Sequence, residues 1–360
     1  MLKNELVKIL IKKHFIFVAV AFMLFESISG FALVGNLFQT NSEKDKYNEL
    51  IYTYEGEINE AKKTQLENLN ERYSSAEGER ENLRERLEAG EISKEEYKIE
   101  TEKVKEYLSG KDTFFRFYEQ CEYAFEDQTN RHIVNAEFWN VVFGNEKLDF
   151  IYIVSVIIIT LLAVISENES SFSEIKNTCK DGRTKLHVLD NSICITYAVL
   201  SSLLLSATRF ITVVLYFGNT SLDSPIQSLP LFENSRFNLT LFQLFLLVSG
   251  LKMLGGAAFS ALSVTTGYFF KSSFSVLLFD LFAAVIPPYV LSSPILYYVS
   301  PISLLISNGF FFGDVFVSGD DVGGTIVYSV SVSTLALVLS IGIAVCLIVL
   351  SYKFNRRRLS

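Results

Sequence analysis

The sequence predicts an all-α polytopic membrane protein with six transmembrane helices and a helical hairpin ectodomain set between the first and second. Three observations carry this expectation. Six apolar runs each reach the roughly 20 residues that cross a hydrocarbon core. A charged segment of 107 residues, 41–147, interrupts them, and Lys and Arg gather in alternate gaps between the runs. The implied organisation is an amphipathic amino-terminal helix with span one over 1–40, an extracellular helical domain over 41–147, and spans two to six over 148–360.

Taken in order, span one is Phe15 to Phe38, preceded by an amphipathic stretch from Leu2 to Lys13. Ser27-Ile28-Ser29 has the small-x-small spacing of a signal cleavage site, but apolar character resumes from Phe31 to Phe38, which favours a retained span. The later spans are Leu148 to Ser166, Ile193 to Phe217, Leu239 to Phe270, Phe274 to Leu296 and Thr325 to Tyr352. The fourth would extend roughly 48 Å at 1.5 Å per residue. It must tilt, break near Gly255-Gly256, or extend into the cytosol.

Charge sets the orientation, because Lys and Arg at span ends stay in the cytoplasm. Lys3, Lys8, Lys12 and Lys13 precede span one, and Lys353, Arg356, Arg357 and Arg358 follow span six. Both termini are thus expected inside. Lys176, Lys180, Arg183 and Lys185 lie between spans two and three, whereas 218–238 holds one Arg and no Lys.

The outside segment is acidic, with 16 Lys plus Arg against 26 Asp plus Glu; the chain nets -8, so the remainder nets +2. Leu66, Leu69 and Tyr73, then Leu83 and Leu87, have helical spacing, and Ser93 with Glu96 has capping-box spacing. Gly78 and Ala89 to Ser93 are the expected breakers. The segment reads as a solvated hairpin with a thin core; alternatively its net charge attracts a cationic ligand. Phe114, Phe115, Phe117, Tyr118, Tyr123 and Phe125 are expected to pack on the hairpin, and Trp139 with Phe143 to mark the outer edge of span two. Cys121 is the one cysteine of this segment and reads as a packed thiol.

Motifs of catalysis are missing. There is no GxxxxGK[ST] phosphate loop, no GxSxG, no HExxH and no metal-spaced Cys or His cluster, and His14, His132 and His187 lie far apart. An enzyme is therefore not expected, nor a directly bound cofactor, metal or nucleic acid.

The loop between spans two and three is the most specific local signal. From Ser166 to Leu186 it carries Glu169, Ser171, Phe172, Glu174, Thr178, Gly182, Arg183 and Leu186, reading as a short helix that stops near Asp181-Gly182. Here the chain resembles the membrane subunits of ABC transporters, the type-2 exporter permeases of bacteria. That family shows an acidic residue, a small residue, a short amphipathic helix, a Gly-Arg pair and a Leu before span three. Ser171 stands where Gly is usual and Asp190 where Lys is common. Ser228-Leu229-Pro230 and Arg236 to Thr240 before a Gln243-bearing span also resemble these permeases. So do Pro287-Pro288, Ser300-Pro301-Ile302 and the amino-terminal amphipathic segment. About two thirds of the chain is covered, and the acidic segment is not.

The resemblance implies a plasma-membrane permease working as a homo- or heterodimer with ABC ATPase subunits, so that ATP acts through the partner. The helix near 167–182 would be the coupling helix, with Phe172 and Ile175 as apolar anchors and Glu169, Glu174, Gly182 and Arg183 completing the contact. Alternatively the loop only connects two spans.

Charges inside spans are the other candidates, since placing one at mid-bilayer costs at least about 2.5 to 3.5 kcal/mol. They are Glu26, Lys252 and Asp280, with Lys252 pairing either acid; Arg209, nearer a span end, is expected to snorkel. The expected cargo is an amphipathic molecule, with a cationic antimicrobial peptide as first guess because the ectodomain is acidic. The competing class is a non-transporting membrane scaffold or sensor whose helical ectodomain binds a ligand.

Overall fold

A computed structural model describes residues 15–35, 37–38, 40–108, 110–143, 150–165, 182–218, 221–270, 272–289, 301–311, 316–317, 326–327 and 330–357. The chain is mostly helical. The helices are α1 (Phe15–Gly35), α2 (Asn41–Tyr54), α3 (Glu60–Glu88), α4 (Lys94–Leu108), α5 (Lys111–Glu126), α6 (Ala136–Phe143), α7 (Phe150–Thr160), α8 (Gly182–Phe217), α9 (Leu241–Phe269), α10 (Ser273–Tyr289) and α11 (Val330–Arg357). A π-turn, Leu161–Ile165, prolongs α7, and a 3-10 segment, Pro301–Phe311, kinks at Ile306. The strands are two residues each, Phe316–Val317 antiparallel to Ile326–Val327.

Among the described residues, three helical stretches are long and apolar enough to cross a membrane: Val188–Phe217, Leu241–Phe269 and Thr334–Lys353. Shorter apolar helices cover Ile16–Ser29, Ile151–Val164 and Ser273–Ala284. Large apolar side chains remain exposed along the three long stretches and along α1 and α10, among them Phe17, Phe31, Ile211, Leu215, Leu246, Phe282 and Val338. A surface of that extent is unsuited to water and marks a membrane protein.

At the centre stands α9, packed against α7, α8, α10, α11 and the 3-10 segment. Its small residues explain this position. Gly255, Gly256, Ala257, Ala258, Ser260, Ala261 and Ser263 are all buried, and such residues let helix backbones approach closely. A Cβ on Gly255 would stand 2.9 Å from Leu304 Cβ, and one on Gly256 would collide with the Tyr152 hydroxyl. The glycine pair therefore seats neighbours rather than breaking the helix, which runs unbroken over 29 residues from a Thr240–Gln243 capping box.

In the polar region, α3 and α4 form the expected hairpin. Its turn holds Gly90 at φ 76°, and Ser93 Oγ accepts from the Glu96 amide while the Glu96 carboxylate accepts from Ser93. Gly78 does not interrupt α3. Nothing crowds it, and the break falls instead at 55–59, where Gly56 takes φ 98° and pairs with Ile133. Trp139 and Phe143 do not edge a lipid interface. Both are fully buried on α6, packed against Phe210 of α8 and Phe232. Burial raises the Cys121 thiol pKa, as suits a packed thiol.

Candidate functional site

Three groups of polar side chains inside the apolar bundle bear on the candidate residues; others, such as Asn191 with Ser351, lie elsewhere. The first lies between α9 and α10. Asp280 is fully buried; Ser263 Oγ donates to its Oδ2 at 2.6 Å, and Thr266 Oγ1 lies 2.9 Å from its Oδ1. The two hydroxyls come from the same face of α9 because three residues separate them, close to one helical turn.

Lys252 does not share this site. Eleven residues before Ser263 on the same helix, it stands about 16 Å away along the axis. Instead it lines a small cavity with Arg209, Ser206, Ser249, Phe143 and Phe245, where α6, α8 and α9 meet. Arg209 thus lines an interhelical cavity together with Lys252. Glu26 falls within α1, and its side chain is outside the described residues.

The third place is an apolar cavity of about 90 Å³ between α1, α7 and α8, lined by Phe22, Ile151, Leu204 and Leu205 with Tyr152, Ser155, Tyr197, Ser201 and Thr208. Most of the hydroxyls are held by backbone. Tyr152 donates to Ala198 O at 2.8 Å, Ser155 to Tyr152 O at 2.7 Å, and Ser201 to Tyr197 O at 2.7 Å. With their protons engaged, they present a wall able to accept a hydrogen bond inside an apolar pocket. The signal for it was present in the sequence as Tyr197, Ser201 and Thr208, which recur at helical spacing on one face of an otherwise apolar span.

The expected coupling residues are distributed differently. Glu169, Phe172, Glu174 and Ile175 lie outside the described residues. Gly182 and Arg183 occupy the first turn of α8, and the residues before them lie outside the described ones. From there α8 continues for 36 residues to Phe217, roughly 54 Å.

The far end of α8 meets the acidic helical region. Phe217 packs against Phe38, Tyr47 and Phe138. The connection from α8 to α9 binds the same region by polar contacts. Tyr123 donates to Gln227 O at 2.9 Å, and the His132 amide to Ser228 Oγ at 2.9 Å. Ser221 donates to Glu55, and Arg131 bridges Glu126 at 3.1 Å and Glu233 at 2.9 Å while lying over the Tyr123 ring. Burial pushes the Tyr123 phenol up to about 12, so it stays a donor. His132 is also partly buried, which lowers its pKa.

No protein-family model, no curated protein and no solved structure matches this chain.

Proposed function

We propose that this chain is the permease subunit of an ABC-type exporter, moving an amphipathic substrate across or out of the plasma membrane while a separate ATPase subunit hydrolyses ATP. In this reading all six apolar helices cross the bilayer, both termini are cytoplasmic, residues 41–147 are extracellular, and a second permease copy completes the dimer. One observation carries it. A single unbroken helix, α8, starts at Gly182-Arg183 beside the loop assigned to ATPase contact, forms a wall of the hydroxyl-lined cavity, and ends in the aromatic core of the acidic region. A displacement at its first turn would therefore alter the cavity and the far end together, as rigid elements transmit motion. The cavity's apolar wall and hydroxyl row suit an amphipathic molecule. The acidity of 41–147 favours a cationic one, such as an antimicrobial peptide.

A non-transporting scaffold or sensor is the second reading. An open groove of about 940 Å³ between α3 and α4, lined by Arg72, Glu79, Arg86, Glu100 and Lys103, favours it as a place for a polar partner. A detergent pull-down of the intact protein beside a Phe172→Asp, Arg183→Glu variant decides between them. The permease reading expects an ATPase subunit with the native chain and its loss from the variant. A stable assembly without any ATPase would move the scaffold ahead.

A further inference from the structure

We infer that Asp280, Ser263 and Thr266 form a proton-binding site inside the helix bundle, with the Asp280 carboxyl carrying the proton in the folded state. The proton count at the site leads there. Thr266 Oγ1 has one hydrogen but lies 2.9 Å from Asp280 Oδ1 and 2.8 Å from the Ser263 carbonyl, both of them acceptors if Asp280 is ionised. Ser263 Oγ supplies its own hydrogen to Oδ2. An ionised Asp280 would thus receive one hydrogen from Ser263 and only a shared one from Thr266, which also points at the Ser263 carbonyl. A proton on Oδ1 resolves the shortage: Oδ1–H donates to Thr266 Oγ1, Thr266 donates to the Ser263 carbonyl, and Ser263 donates to Oδ2. Every short contact then carries one hydrogen.

Among the described residues, the elements packed against α10 provide no compensating charge. Asp280 is fully buried, and α10 packs on α7, the π-turn, α9 and the 3-10 segment. Across those elements the sole other charged residue is Lys252, about 16 Å away along α9. The other titratable side chains there are Tyr152, directed at Ala198 O, Tyr268, within 3.4 Å of Asp190, and Tyr289 of α10 itself. An isolated carboxylate in such a place takes up a proton rather than remain charged. Release would break the Oδ1–H bond and pass the proton to water, leaving a carboxylate that α9 cannot fully satisfy. Proton occupancy therefore favours the packed arrangement of α9 and α10, whether or not the chain is a permease.

The test is infrared spectroscopy of the full-length protein in lipid nanodiscs, with aspartate carboxyls labelled by carbon-13. At neutral pH the native protein is expected to show a protonated-carboxyl band that fades at strongly alkaline pH and is missing in Asp280→Asn. The amide introduced by that substitution does not titrate yet keeps both hydrogen bonds. Should that variant fail to fold, Ser263→Ala is expected to keep the band and shift it, because one donor to the carboxyl is gone. Absence of a protonated band in the native protein at neutral pH, including the case of a carboxylate neutralised by a metal cation, would overturn the inference. So would a band that neither substitution alters.

Discussion

At the residue scale, one helix makes the same substitution have opposite signs at two positions. Gly→Ala in a helix interior ordinarily stabilises by up to about 1 kcal/mol, and Gly250 of α9, with nothing within 4 Å of its missing Cβ, should follow that rule. Gly256 should not. Its Cβ would overlap the Tyr152 hydroxyl and stand 3.1 Å from Tyr152 Cζ. Gly256→Ala is expected to cost about 1–3 kcal/mol by overpacking. Tyr152→Phe alone forfeits the bond to Ala198 O, about 1 kcal/mol, yet it should recover part of the loss in the Gly256→Ala background. Thermal unfolding of the four solubilised proteins checks this, and strictly additive effects would show that the two residues do not touch. The sequence displayed the glycine pair clearly. Whether it breaks a helix or seats a neighbour depended on Tyr152, about a hundred residues earlier in the chain.

At the element scale, the connection between α8 and α9 is fastened to the acidic region through Arg131. The Arg131 side chain is 9% exposed, while Glu126 and Glu233 are 70% and 46% exposed and can rehydrate when it is lost. Arg131→Ala is therefore expected to destabilise by about 2 kcal/mol, the scale of a hydrogen bond to a charged group, rather than by the full cost of stranding a buried ion. Lysine at 131 should recover less than half, since it lacks the planar fork that reaches two carboxylates and stacks on Tyr123. A cycle with Glu233→Gln, read by thermal unfolding, measures the link; zero coupling would mean that the bridge does not fasten the two parts. The hairpin of α3 and α4 was legible in advance because a turn and a capping box are local. This fastening was not, since Arg131 and Glu233 are a hundred residues apart and nothing in either segment names the other.

At the scale of the whole molecule, α8 joins three regions that the sequence treats separately: the loop before Gly182, the cavity, and the aromatic core around Tyr47 and Phe217. The proposed topology sets the two ends of that path on opposite sides of the membrane. Tyr52, 91% exposed, and Lys353, also exposed, report the two sides. In a cysteine-free background, Tyr52→Cys should react with a membrane-impermeant maleimide in intact cells, and Lys353→Cys only after permeabilisation. Equal labelling of both in intact cells would rule out the orientation.

The sequence by itself determined the apolar runs, the acidity of 41–147, the hairpin turn and the mostly helical character. These follow from hydropathy, charge and local capping, which act over a few residues. It also marked Asp280 as a charge in an apolar run and offered Lys252 as a partner for either Glu26 or Asp280, because the sequence does not say which helix faces meet. Tertiary structure alone decided that Ser263 and Thr266 meet Asp280, that Arg209 joins Lys252 at a cavity, and that Trp139 is buried in an aromatic core. Each of these depends on which faces of distant helices touch, and local sequence does not specify that.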